Sequence, residues 1–173
     1  MQERNDLLDA ASAPGLEVVQ LTEEDVPSCH IYMEAQVCTP DSRYLVLHRA
    51  ADAHGRTRWN NPEHRYMLCD TEEGELLPLT DEMNVTGPSL SPDGKWMYYF
   101  VDDTQSPGKK PAVALKRVSL DGLTRETLIV VDTPLPGSNR CPSQLYDLST
   151  ISSDGRRLAT SARVGENSTG SVE

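Results

Sequence analysis

One short phrase constrains this chain more than any other: a four-residue turn that runs straight into an apolar stretch, met three times. Thr39-Pro40-Asp41-Ser42 precedes Tyr44-Leu45-Val46-Leu47, and Ser91-Pro92-Asp93-Gly94 precedes Trp96-Met97-Tyr98-Tyr99-Phe100. Ser152-Ser153-Asp154-Gly155 precedes Leu158-Ala159. In the second copy serine caps the first position and proline fixes φ at the second. Aspartate and glycine suit the third and fourth, a type I turn arrangement. Ser42 stands in the first copy where glycine would fit best. A turn feeding a β-run at long, repeated intervals predicts stacked β units, none of which buries its faces alone.

The apolar run 96–100 carries large side chains on both of its faces. A strand in a sheet with one wet face alternates polar and apolar residues, whereas a strand held between two neighbouring sheets does not. The turns and this run together point to the blades of a β-propeller. The core strand of a β-sandwich is the alternative reading.

Along the chain, residues 1–14 read as a tail, helical or disordered, closed by Pro14-Gly15. Residues 16–21 read as a strand lent to a final blade, followed by a polar turn at 22–25. Blade one is expected over 28–80. It holds a weak strand candidate at 28–37, a clear one at 44–49, a long loop at 50–63, and a hairpin of 65–70 with 75–79. Blade two is expected over 85–131, from strands at 85–90, 95–101, 112–120 and 127–131. Part of a third blade covers 145–163, and 164–173 is a loose tail. Helical periodicity is not evident over a useful length. The expected class is therefore all-β: a partial β-propeller of about two complete four-stranded antiparallel blades plus part of a third, spanning 15–173. Seven such units need roughly 350 to 420 residues, so the chain reads as an N-terminal fragment of a longer protein with unpaired edges.

Among the 173 residues the net charge is −11, which disfavours nucleic acid or an anionic membrane as a partner. No apolar stretch approaches the roughly 20 residues that span a bilayer. The charged segment around Leu7-Leu8 is unlike a secretory leader. Cys29, Cys38, Cys69 and Cys141 form no C-x-x-C pair and read as four reduced, mostly buried thiols of a cytoplasmic protein. The N-x-[ST] matches at Asn84 and Asn167 carry no meaning without secretion.

The segment 17–49 is more specific than a generic repeat. Val19-Gln20-Leu21-Thr22, Asp25-Val26, Cys29-His30, Tyr32 and Cys38-Thr39 ahead of the Asp41 turn resemble the start of bacterial oligogalacturonate lyases. The register continues through Tyr66-Met67-Leu68, Pro78-Leu79-Thr80 and the later turns, so the likeness runs nearly the length of the chain. The turn phrase by itself is shared with PD40/TolB-like propellers. What the lyase resemblance implies is a seven-bladed cytoplasmic propeller that cleaves unsaturated pectin-derived oligogalacturonides, a carbohydrate-degrading β-elimination. A divalent cation, Mn2+ in the family, stabilises the enolate-like charge while a positioned base removes the proton. The family's metal ligands and proposed base lie on later blades. No catalytic residue and no metal ligand is therefore assigned in this chain, and the fragment itself is expected to be inactive and to bind no cofactor.

Three residues are candidates for substrate contact. His30 and Tyr32 fall on the expected innermost strand of blade one, where they would meet sugar hydroxyls or a carboxylate, or else be packed core residues. Arg49 ends the next strand, where it would contact an anionic sugar or be solvated surface. His48, His54 and His64 lack metal-like spacing and read as surface or loop positions. The acidic balance has the wrong sign for long-range attraction of a polyanionic oligogalacturonide. Two further readings stand beside the lyase: a non-catalytic TolB-like scaffold for protein–protein interaction, and the propeller of a serine peptidase whose hydrolase domain would follow. Oligomeric state is not legible.

Overall fold

The computed structural model describes residues 1–22, 26–50 and 58–166. His54, Glu23 to Asp25 of the polar turn, residues 167–173 of the loose tail and the Asn167 motif lie outside the described residues. The strands are β1 (Gln2–Glu3), β2 (Val19–Gln20), β3 (Ser28–His30), β4 (Tyr44–Arg49), β5 (Arg65–Asp70) and β6 (Leu76–Pro78). Then follow β7 (Val85–Leu90), β8 (Trp96–Asp102), β9 (Val113–Ser119), β10 (Arg125–Val131), β11 (Arg140–Ile151) and β12 (Leu158–Glu166). β3-β4-β5-β6 and β7-β8-β9-β10 are four-stranded antiparallel meanders, and β11-β12 is a two-stranded ladder.

The turns explain why each meander folds where it does. Ser42, Gly94 and Gly155 donate backbone N–H bonds of 2.8, 2.9 and 2.8 Å to the carbonyls of Thr39, Ser91 and Ser152. The first-position hydroxyl donates to the aspartate carboxylate at 2.6 Å in the first and third copies. That bond holds the carboxyls of Asp41, Asp93 and Asp154 below the usual range. Ser42 adopts φ 63°, matching 67° at Gly94 and 68° at Gly155, so the first copy keeps the geometry with a residue that resists it. A fourth copy joins β9 to β10: in Ser119-Leu120-Asp121-Gly122, Gly122 donates to the Ser119 carbonyl at 2.8 Å with φ 72°. The turns also touch across blades. A Cβ built on Gly94 would lie 3.0 Å from Pro40 Cδ, and one on Gly155 3.7 Å from Pro92 Cδ.

β8 shows why its pattern lacks alternation. Met97, Tyr99 and Val101 pack with Val46, Tyr66 and Leu68 of the first meander. The intervening Phe100 packs with Val113 and Leu145 toward the β11-β12 ladder. One sheet is thus sandwiched between two, and both its faces are apolar because both are covered. The inner edges meet: β11 lies against β7, with Ser149 Oγ donating to the Gly87 carbonyl at 2.7 Å. Gln36 ties all three units, since its Oε1 accepts from Ser89 Oγ at 3.2 Å and the Ile151 N–H at 3.1 Å. The outermost strand of the second meander, β10, is largely exposed. Sheets that fan from a shared inner edge are propeller blades. The chain is a partial β-propeller, all-β, with two complete four-stranded antiparallel blades and part of a third.

Several expectations need adjustment. The strand expected at 16–21 is a two-residue ladder in which Val19–Gln20 pairs with Gln2–Glu3 of the tail, whose only helical element is a 3-10 turn at Asn5–Leu7. The candidate at 28–37 is a strand only over Ser28–His30, followed by turns and an isolated Cys38–Leu45 bridge. β11 and β12 extend beyond 145–163 at both ends. No disulfide joins the cysteines, but only Cys69 is buried; Cys38 is exposed, and Cys29 and Cys141 are half-buried. No helix among the described residues is long and apolar enough to cross a membrane.

Candidate functional site

Blade register aligns Cys29, His48 and Tyr66 side by side on β3, β4 and β5. Val46, Tyr66 and Leu68 form the core facing blade two, and strand periodicity carries His48 onto that same face. His64, one residue before β5, closes the row, its ring edge-on to His48 with centroids 4.5 Å apart and 5.9 Å from Tyr66. Together with His30, Arg58 and Asp147 of β11 these side chains surround a polar recess of about 200 Å³.

His64 is 2% exposed. Its Nε2 donates to the Val85 carbonyl at 3.2 Å, leaving Nδ1 as a buried acceptor with no partner among the described residues. Burial, reinforced by the neighbouring His48, pushes its pKa down to about 4, so the ring is neutral at pH 7. Tyr66 is buried as well, which pushes its phenol up. Arg58 grips Asp147 through both guanidinium nitrogens, and the Thr86 hydroxyl donates to the same carboxylate at 3.2 Å. The guanidinium also lies 4.9 Å from the Trp59 ring centroid. This ion pair joins the β4–β5 connection to blade three and separates the recess from a smaller one of about 110 Å³ beside Gln144 and Arg163. The arrangement offers an acceptor at His64, donors at Arg58, and little net charge.

Of the three residues picked out from sequence, His30 lines the recess and is exposed. Tyr32 lies just past β3, 50% exposed and outside the recess lining. Arg49 follows His48 in β4, so it turns to the opposite face, away from the recess. His64 lies in the connection before β5, a loop position as the sequence suggested, but it is buried rather than at the surface, and His48 is half-buried against it. The signal was present: His48 stands two residues after the core position Val46, and His64 two before Tyr66. Nothing local in the sequence couples Arg58 to Asp147. Among the described residues no group of three His, Cys, Asp or Glu side chains is placed to hold a metal ion.

No protein-family model matches the chain, and no curated protein matches it. Solved structures do. A TolB from Acinetobacter baumannii shares 14% identity at a TM-score of 0.44, over 87% of this chain and 43% of its own. A protein assigned as TolB from Agrobacterium tumefaciens shares 19% at 0.42, over 72% and 47%. A protein described as a 6-phosphogluconolactonase from Bacteroides fragilis shares 16% at 0.36, over 72% and 30%. The chain spans less than half the length of each of these proteins.

Proposed function

We propose that this chain is part of a TolB-like propeller that works as a non-catalytic binding scaffold, with the His64–Arg58–Asp147 recess as its contact point for a partner's polar groups. The observation that carries the reading is the neutral His64, whose Nδ1 is a buried acceptor beside an ion pair already satisfied on both sides. Such a group suits recognition of a donor, a hydroxyl or an amide N–H, because an unpaired buried acceptor gains a full hydrogen bond when one arrives. Four cysteines without a disulfide among them fit a reducing, cytoplasmic setting.

Peptide-display selection against the 173-residue chain tests this. Selected sequences should bind the wild type and lose binding to Asp147→Ala, which dissolves the ion pair and opens the recess. Equal binding to both proteins would rule out the recess as the contact point. The oligogalacturonate lyase reading has its own support in His30, which lines the same recess. Loss of unsaturated digalacturonate on incubation with a protein that carries the completed propeller, dependent on Mn2+, would favour that reading instead.

A further inference from the structure

The buried His64 Nδ1 has a companion in the recess. Tyr66 is 3% exposed. Its hydrogen bonds run through its main chain, to Thr80, Leu79 and the β4 ladder, and none among the described residues uses its phenol. Both rings line the recess of about 200 Å³, edge-on with centroids 5.9 Å apart. Native interiors leave few polar groups unpaired, and each one costs stability until something bonds it. An unpaired acceptor beside an unpaired hydroxyl, both at one opening, marks a place for a ligand.

What the walls lack fixes the chemistry of that ligand. His64 Nε2 donates to the Val85 carbonyl, so Nδ1 can only accept. The Tyr66 hydroxyl has a proton to donate, and burial, by pushing its ionisation up, keeps that proton in place. Arg58 and Asp147 already satisfy each other through both guanidinium nitrogens, so a charged ligand finds no free counter-charge. An ammonium or a carboxylate would shed its water beside a neutral imidazole and a neutral phenol. A neutral group with donor and acceptor on separate atoms suits both walls. In a trans peptide N–H and C=O point opposite ways, so a main-chain amide cannot turn both toward them. A primary carboxamide carries N–H and C=O on one edge.

We infer that His64 and Tyr66 form a subsite for a primary carboxamide, the side chain of an asparagine or glutamine, whose N–H donates to His64 Nδ1 while its C=O accepts from the Tyr66 hydroxyl. The assignment rests on reading this recess as the partner contact, and it names the residue type that the partner inserts.

The probe is propionamide, titrated at pH 7 into the 173-residue chain carrying isotope-labelled histidine. The His64 Nδ1 resonance should move as that nitrogen gains a hydrogen bond. N-Propanol, N-methylacetamide, propionate and ethylammonium should each need about tenfold more for the same shift, the scale of one hydrogen bond. Tyr66→Phe keeps the ring and removes only the hydroxyl; it should weaken propionamide binding about tenfold. A His64 resonance that propionamide leaves in place, n-propanol binding as tightly, or a Tyr66→Phe chain that binds like the wild type overturns the inference. The two readings fail separately. Selected peptides that need the recess, with no propionamide shift, overturn the carboxamide subsite and leave the scaffold. A propionamide shift with no peptide selected upholds the subsite and makes a small amide, rather than a protein, its source.

Discussion

Lowering the pH from 7 to 5 should weaken the fold through one residue, His64. Its ring is buried and neutral, with a pKa of about 4 against 6.5 for an unperturbed histidine. The unfolded chain therefore binds a proton in this window that the folded chain refuses. Stability from this group is fully present above pH 6.5, is lost as pH falls, and levels off below about 4. At about 1.4 kcal/mol per unit, the whole shift is worth about 3 kcal/mol, of which about 2 kcal/mol is lost by pH 5. The carboxylates held low, such as Asp41, Asp93 and Asp154, act in the same direction, but only as pH nears their unfolded value of 3.8. The interval from 6.5 to 5 thus belongs to histidine. Urea denaturation at both pH values should show the loss in the wild type and a much smaller one in His64→Gln, whose amide can still donate to the Val85 carbonyl. Equal losses in the two proteins, or a His64 ring that titrates near 6.5 by NMR in the folded chain, would refute the reasoning.

Other substitutions test the turns and the seams between blades. Ser42→Gly relieves a left-handed φ of 63° and should raise stability by about 0.5–1 kcal/mol in denaturant melts, net of the flexibility glycine adds to the unfolded chain. Gly94→Ala should cost about 1–2 kcal/mol, since it forces φ 67° on an alanine and sets its Cβ 3.0 Å from Pro40 Cδ. Asp102→Ala removes the buried carboxylate that accepts the Leu145 N–H at 2.7 Å and the Thr104 N–H at 3.0 Å. It should cost about 2–3 kcal/mol and speed hydrogen exchange at Leu145 more than at Val46; uniform acceleration would show that Asp102 does not hold the blade two–three seam.

The sequence by itself determined the repeat. Turn chemistry acts over four residues, so Thr39–Ser42, Ser91–Gly94 and Ser152–Gly155 announced strand starts that the structure keeps to within about two residues. The doubly apolar β8 foretold a sheet covered on both faces. The turn at 119–122 is a further copy whose hydrogen bonds match, with leucine in the place that proline holds in the first two copies and serine in the third. The recess was beyond local reading: His30, His48 and His64 come from different strands and connections, and Arg58 meets Asp147 across 89 residues. Only blade-on-blade packing brings β11 against β7 and seats that pair beside His64. A histidine's burial, and with it its charge, depends on neighbours distant in the chain, and those neighbours exist only once the blades have stacked.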